Sequence, residues 1–325
     1  MNEKILIVGG AGYVGTKLAP YLIDKSYDIS VIDWMIYGNY LPDIPIYKID
    51  MRNTSEIEKA IKKIEPEIVV DLAAISNDPM GNVLPSLTIE INDKAQRKLI
   101  DICKENNIKK FIFASSASVY GINDKENISE DVKLAPISVY SRTKTDIEKY
   151  LMKVNSDDFC TVRIRPATVC GYSPRQRLDL IVNLLTYHGF FNKKIRIEGG
   201  ERIRPFIHID DMVNAYHTFI KADADIISGE VYNCGSEYIS LNGLGDLVKK
   251  YTNCDINYTD GPDKRSHRLN SEKIKKELNF KFEKNIESAI KDLINVFEKG
   301  ILDIKDPRLF NLNWYKKLIE ENKIK

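Results

Sequence analysis

Three things are scarce in this 325-residue chain, and each scarcity closes off a class of function. No apolar run is long enough to span a bilayer, so no membrane insertion is expected. The chain opens on a strand-like segment rather than a charged and apolar leader, which points to a cytoplasmic protein. Cys103, Cys160, Cys170, Cys234 and Cys254 stand far apart, without the close pairs that zinc or redox motifs require. They read as reduced and mostly structural, and no metal site is expected. Charge of one sign is also lacking. Lys and Arg number 48 against 47 Asp and Glu, with no basic block, so nucleic acid is not an expected partner. What is present is 43% hydrophobic residues in a chain long enough for one large or two modest domains with a sizeable core.

The most informative segment is residues 5–15, an apolar run that breaks into Gly9, Gly12 and Gly15 before the amphipathic stretch 17–23. Strand, glycine turn and helix in that order form a dinucleotide cradle. Glycines let the backbone approach a pyrophosphate, and the helix N-terminus offers N–H groups and positive dipole. A second apolar run, 29–32, ends at Asp33, about twenty residues beyond the turn, where an adenosine ribose should lie. A carboxylate there accepts hydrogen bonds from both ribose hydroxyls and repels a 2′-phosphate. No Arg stands in 34–40 to receive one, so the expected cofactor is NAD rather than NADP.

Apolar runs at 68–74, 110–114 and 161–164 then alternate with helical segments at 54–64, 91–106 and 139–154. This order predicts an α/β fold, a Rossmann-type doubly wound parallel sheet covered on both faces, with ligands at the carboxyl ends of the strands. After about residue 168 the strand-like pieces shorten and glycine-rich loops appear, including the Gly261, Pro262, Lys264, Arg265, His267 and Arg268 cluster. The expected division is therefore a dinucleotide domain over 1–168 and a smaller mixed domain over 169–325. The amphipathic segment 206–222 is expected to fold back onto the first domain.

A Tyr and a Lys four residues apart share one helix face. That spacing occurs at Tyr13 and Lys17, Tyr21 and Lys25, and Tyr140 and Lys144. Only the third pair follows a strand ending in small hydroxylated residues, 114–118, so position rather than pattern selects it. Chemically, Tyr140 would take a proton from a substrate hydroxyl. Ser116 would hold the same oxygen as it becomes a carbonyl, and Lys144 would bind the nicotinamide ribose and bias the phenol toward ionisation.

Together these residues resemble the extended short-chain dehydrogenase/reductase superfamily, in its sugar-nucleotide branch of epimerases, dehydratases and 4-dehydrogenases. The resemblance runs along nearly the whole chain. It takes in Gly9, Gly12, Tyr13, Val14, Asp33, Asp50, Met51, Leu72, Ala73, Ala74, Tyr140 and Lys144, which by resemblance line the cofactor. By the same resemblance Arg204 and Arg265 would clamp the diphosphate of a nucleoside-diphosphate sugar, and Thr168 and Ser116 would face that substrate. Ser76 and Arg175 stand in two loops distinctive of this chain and are further substrate candidates, with Arg175 and Arg177 either contacting phosphate or capping a helix. Relatives commonly pair the helices at 91–106 and 139–154 across a two-fold axis, which makes a homodimer the expected assembly.

Two departures bear on the reaction. Dehydratases of this branch carry Thr-Asp-Glu before Val-Tyr-Gly, whereas this chain carries Ser116, Ala117 and Ser118, without the acid and base that expel water. Many epimerases place Asn where Thr168 stands. Chemistry at carbon 4 remains. A 4-epimerase leads, a 4-dehydrogenase or 4-keto-reductase for surface polysaccharide precursors follows, and a non-catalytic NAD-binding regulator is the alternative from another class.

Overall fold

The computed structural model describes residues 2–324 apart from 124, 126, 262–264 and 267. Seven strands build the central sheet: β1 (Lys4–Val8), β2 (Asp28–Asp33), β3 (Ile46–Lys48), β4 (Ile68–Asp71), β5 (Lys110–Ala114), β6 (Cys160–Pro166) and β7 (Val231–Cys234). Each pairs in parallel with its neighbours in the order β7-β6-β5-β4-β1-β2-β3. The order reverses between β1 and β4, the switch point at which doubly wound sheets hold ligands.

The two faces of β1 explain the layers. Successive side chains of a strand point to opposite sides. Ile5 and Ile7 therefore join the core under helices Gly15–Asp24 and Ile209–Lys221, with Val31, Val70, Met212 and Phe219. Leu6 and Val8 turn the other way, into a core with Val69, Phe111, Leu99 and Ile147 beneath helices Thr54–Ile64, Gln96–Glu105 and Val139–Val154. Both faces are dry, and such a strand reads as a continuous apolar run instead of an alternating one.

Beyond β6 the chain builds a smaller mixed lobe. Thr168–Cys170, Ile203–His208 and Glu237–Ser240 form a three-stranded sheet, and Lys194–Glu198 pairs with Asp255–Thr259. Cys170, Val182, Ile195, Phe206, Leu244 and Ile290 pack as its core. Helix Ile209–Lys221 crosses back to lie against helix Gly15–Asp24, where Lys17 meets Asp210 at 2.7 Å. The last helix, Asn311–Glu320, returns to the loop that follows β2. All five cysteines are free and buried, and no described helix is long and apolar enough to cross a membrane.

Candidate active site

Every residue that the sequence assigns to cofactor, substrate or reaction lines one cleft, which runs along the carboxyl ends of β1, β2, β4, β5 and β6. At its floor Gly9 has φ +77°, and a Cβ there would stand 2.6 Å from the backbone N of Ala73. The close pass of residues 72–74 requires glycine. At Gly15 a Cβ would meet Gly10 O at 2.3 Å. Around Gly12 the sole neighbour within reach is Gly9 O at 3.1 Å. Helix Gly15–Asp24 begins at Val14 without a side-chain cap or an acid in its first turn. Thr16 N and Lys17 N already donate to Gly12 O and Val14 O, so an anion would be met by the N–H groups just before them at the glycine turn.

Asp33 ends β2 with Oδ2 accepting from Ala11 N (3.0 Å) and Oδ1 from Met35 N (2.7 Å). Burial pushes its carboxyl above the usual range and these two bonds oppose that shift. The carboxylate is tied to the glycine turn itself. Met51, Leu72 and Ala74 line the same end, as does Asp50, whose carboxylate is engaged by Arg52 at 2.7 Å. The phenol of Tyr13 is committed to protein partners, donating to Gly171 O at 2.7 Å and accepting from Asn183 Nδ2 at 3.2 Å.

The reacting end is set by Ser138, which starts helix Val139–Val154 with a capping box closed by Ser141. Tyr140 sits in the first turn and Lys144 one turn on. Lys144 Nζ donates to Ala114 O at 2.6 Å, 4.5 Å from the Phe113 ring centre and 6.0 Å from that of Tyr140. The Tyr140 phenol is raised to about 12, chiefly by burial and also by Asp78, with a Ser116 hydrogen bond and the charge of Arg177 opposing the shift. Burial also lowers Lys144, against the carboxyl of Asp71, itself raised by burial. Ser116 caps the short turn Ala117–Tyr120, its Oγ accepting from Ser118 N at 3.1 Å.

Around this point the substrate-side residues gather unevenly. Ser76 Oγ accepts from Arg177 Nη1 at 3.0 Å, and Arg177 is braced by Asp179 at 2.9 and 3.0 Å. Arg265 meets Asp78 at 2.5 Å, and Asp78 accepts from Ser138 Oγ, also at 2.5 Å. Thr168 and Arg204 line the cleft from the smaller lobe. Arg175 lines the same cleft and stacks on Tyr37 in the loop after β2. Pro262, Lys264 and His267, singled out in the same loop as Arg265, lie outside the described residues.

Sequence reasoning did not find the support behind Ser116. Glu148 is buried and bonds Arg165 Nη2 (2.6 Å), Arg165 Nε (3.0 Å) and the Ser115 hydroxyl. Arg165 Nη1 donates on to Tyr120 Oη (2.7 Å), and that hydroxyl to Asn233 Oδ1 (2.7 Å). The available signal was spacing, since Glu148 lies one turn after Lys144. Nothing local marked Asn311 and Tyr315, which reach the cleft from the last helix. Away from the cleft, His208, Asp210 and Asp292 hold ligand-type atoms within 4.8 Å of one another. His208 Nδ1 already accepts from Asp210 N, leaving Nε2 to face Asp292 alone at 3.4 Å. The ring's two nitrogens point apart, a poor geometry for one shared ion.

Comparison with known proteins agrees with this geometry. The profile of the NAD dependent epimerase/dehydratase family matches residues 5–235. The chain belongs to that family. A UDP-glucose 4-epimerase of Lactobacillus helveticus is 28% identical over 280 residues, covering 80% of this chain and 84% of its own. A dTDP-D-glucose 4,6-dehydratase of Dictyostelium discoideum is 29% identical over 277 residues, 78% of this chain and 62% of its own. The crystal structure of UDP-glucose 4-epimerase from Thermotoga maritima with UDP-glucose superposes with a TM-score of 0.84 at 25% identity, covering 92% of this chain and all of that one. As a member of the epimerase/dehydratase family the protein is an NAD-dependent enzyme of sugar-nucleotide chemistry. The residues fit the dinucleotide. A side chain at Gly12 would stand in the cleft, the helix N-terminus beside it is uncapped, and Asp33 presents a fixed carboxylate at the ribose position.

Proposed function

We propose that the protein is a 4-epimerase acting on the sugar of a nucleoside-diphosphate sugar. The observation that carries this reading is the composition of the reacting end. Ser116, Tyr140 and Lys144 gather there; the nearby carboxylate of Asp78 is engaged by Arg265 and the Ser138 hydroxyl, and Asp33 and Asp50 lie at the cofactor end. Expelling water from a sugar needs a further acid and base, and positions 117 and 118 are Ala and Ser. Oxidation and reduction at one carbon need only a proton carrier and a donor to the developing oxyanion.

NAD when bound supplies the acceptor for the hydride that leaves carbon 4 and returns it. The chain does the rest. Tyr140 takes the proton of the 4-hydroxyl and gives it back after the sugar has presented its other face. Ser116 donates to the oxygen while it is a carbonyl. Lys144 supplies positive charge beside the phenol and a donor for the nicotinamide ribose. Arg204 and Arg265 hold the diphosphate while the sugar turns, and Arg265 exchanges Asp78 for that anion. Helices Gln96–Glu105 and Val139–Val154, linked by Arg97 on the Tyr150 ring at 4.8 Å and carrying Met152 at 61% exposure, form the proposed dimer face. Sedimentation at micromolar concentration tests that assembly.

The reaction is tested by incubating the purified protein with UDP-, GDP-, CDP- and dTDP-sugars and weighing both nucleotide products and released dinucleotide. An isomer of unchanged mass with NAD recovered oxidised is the expected outcome. A sugar product two mass units lighter with accumulated NADH would assign a 4-dehydrogenase instead, the second reading that the same three residues serve.

A further inference from the structure

Arg175 is 2% exposed, and burial disfavours its charge. Buried guanidinium groups are normally met by a carboxylate. Arg175 has none among its hydrogen-bond partners. Its Nη2 donates to Asn311 Oδ1 at 2.6 Å and to Arg308 O at 3.5 Å, and Nε has no partner at all. The guanidinium lies 3.5 Å from the Tyr37 ring centre, and the backbone N of Arg175 reaches Thr16 Oγ1 at 3.4 Å, on the first turn after the glycine bend. This places a cation on the cleft wall between the anion-binding helix end and Asp33.

The last helix keeps it there. Arg308 Nη1 donates to Tyr37 O at 2.9 Å and Trp314 Nε1 to Ile36 O at 2.7 Å, while the Tyr37 and Tyr315 rings meet edge to face at 6.1 Å. Leu318 and Ile324 continue the contact against Met80 and Leu87. The loop after β2 is thereby strapped to a segment some 270 residues later in the chain. The geometry points to a role for Arg175 as the counter-charge of the dinucleotide's diphosphate, positioned by Asn311 from the C-terminal segment. Cofactor retention then depends on residues 307–320, outside the strand-turn-helix cradle. The enzyme's NAD holds two negative charges on its diphosphate, and the guanidinium that lines the cleft without a bonded carboxylate is the cation to meet them. Retention matters for a reaction that must return its hydride, though the inference rests on the dinucleotide site alone and not on the sugar chemistry.

The test measures binding of ADP-ribose, adenosine and UDP by calorimetry to the NAD-stripped full chain. Arg175→Met is expected to weaken ADP-ribose at least tenfold and leave adenosine and UDP within twofold, with Arg175→Lys recovering part of the loss. Asn311→Ala, which frees Nη2 and keeps the cation, is expected to weaken ADP-ribose severalfold with the same selectivity. Equal loss of ADP-ribose and adenosine would make Arg175 a prop for Tyr37 and overturn the assignment. Loss confined to UDP would transfer Arg175 to the sugar nucleotide and overturn it likewise, as would ADP-ribose binding unchanged in both variants.

Discussion

Lys144→Met separates two tasks that the proposed mechanism gives to one ammonium. The Lys144 nitrogen lies 6.0 Å from the centre of the Tyr140 ring. One unit charge at that distance stabilises a phenolate by about 2.8 kcal/mol at an effective dielectric of about 20. This is about two pKa units. Burial, only partly offset by the Ser116 hydrogen bond and the charge of Arg177, holds the phenol at about 12, too weak an acid to ionise near neutrality without further positive charge. Removing the ammonium while keeping the stem should move the acid limb of the kcat profile up by about two pH units. The loss should be about hundredfold at pH 6 to 7 and shrink as the pH rises, since the variant regains phenolate there. It shrinks further because Lys144, its pKa lowered by burial, discharges in the parent. The assay is sugar-nucleotide isomerisation from pH 6 to 10 with bound NAD weighed in parallel. A loss that is constant across this range, at full NAD occupancy, would refute the electrostatic role and leave Lys144 as a ribose ligand only.

Tyr140→Phe should retain NAD and lose at least about a hundredfold in turnover, the lower end of what a positioned acid-base group contributes; full turnover in the variant would sink the mechanism. Gly15→Ala, whose Cβ would stand 2.3 Å from Gly10 O, should cost about 1 to 3 kcal/mol in denaturant unfolding and lower NAD occupancy, and an unaltered midpoint would contradict the packing. Glu148→Gln leaves the buried Arg165 without its counter-charge, so a loss of about 3 to 5 kcal/mol is expected in chemical denaturation. His208 is held neutral by burial against the pull of Asp210, Asp292 and Asp211, with Lys17 acting in the same sense as burial. A folded pKa below the unfolded value of about 6.5 gives stability that is complete above 6.5 and lost as pH falls toward the folded pKa. His208→Asn should flatten the thermal midpoint between pH 7 and 5, and an unchanged slope would place the acid sensitivity elsewhere.

The parts of the fold that were legible in the sequence are those whose causes are local. The apolar runs of β1, β4 and β5 announce strands buried on both faces, and the glycines of the first turn announce a bend that no side chain tolerates. Tyr140 and Lys144 were legible because one helical turn puts them on one face behind a strand ending in serines. What escaped has partners far away in the chain. β7 completes the sheet from residue 231, beside a strand some 70 residues earlier. The segment around residue 90 looks like one continuous helix, but it opens with a π-helical stretch, Glu90–Ala95, before the α-helix Gln96–Glu105. Arg175 lines the cleft where it was expected, and what the sequence did not show is its stacking on Tyr37, a contact set by the last helix. No spacing rule connects residue 175 to residue 311.

Behind the reacting groups the structure concentrates its rigidity on one side of the cleft. Ser115, next to Ser116, is tied to Glu148 on the helix that carries Tyr140 and Lys144. Glu148 is tied to Arg165 on β6, Arg165 to Tyr120, and Tyr120 to Asn233 on β7, which also bonds the backbone at Ile128 and Asn270. Every member of that chain is buried, so none can shift without stranding a polar partner. The opposite wall is built differently. Arg265 and Asp78 pair across the cleft with 22% and 18% of their side chains exposed, and such a pair exchanges partners at modest cost. In the proposed reaction a fixed proton carrier would face an exchangeable diphosphate clamp, the division that epimerisation demands. The oxygen, the phenol and the cofactor must keep one geometry while the sugar presents first one face and then the other. A dehydrogenase has no need for the second presentation, so tightening the Arg265 side should slow epimerisation while sparing the first oxidation.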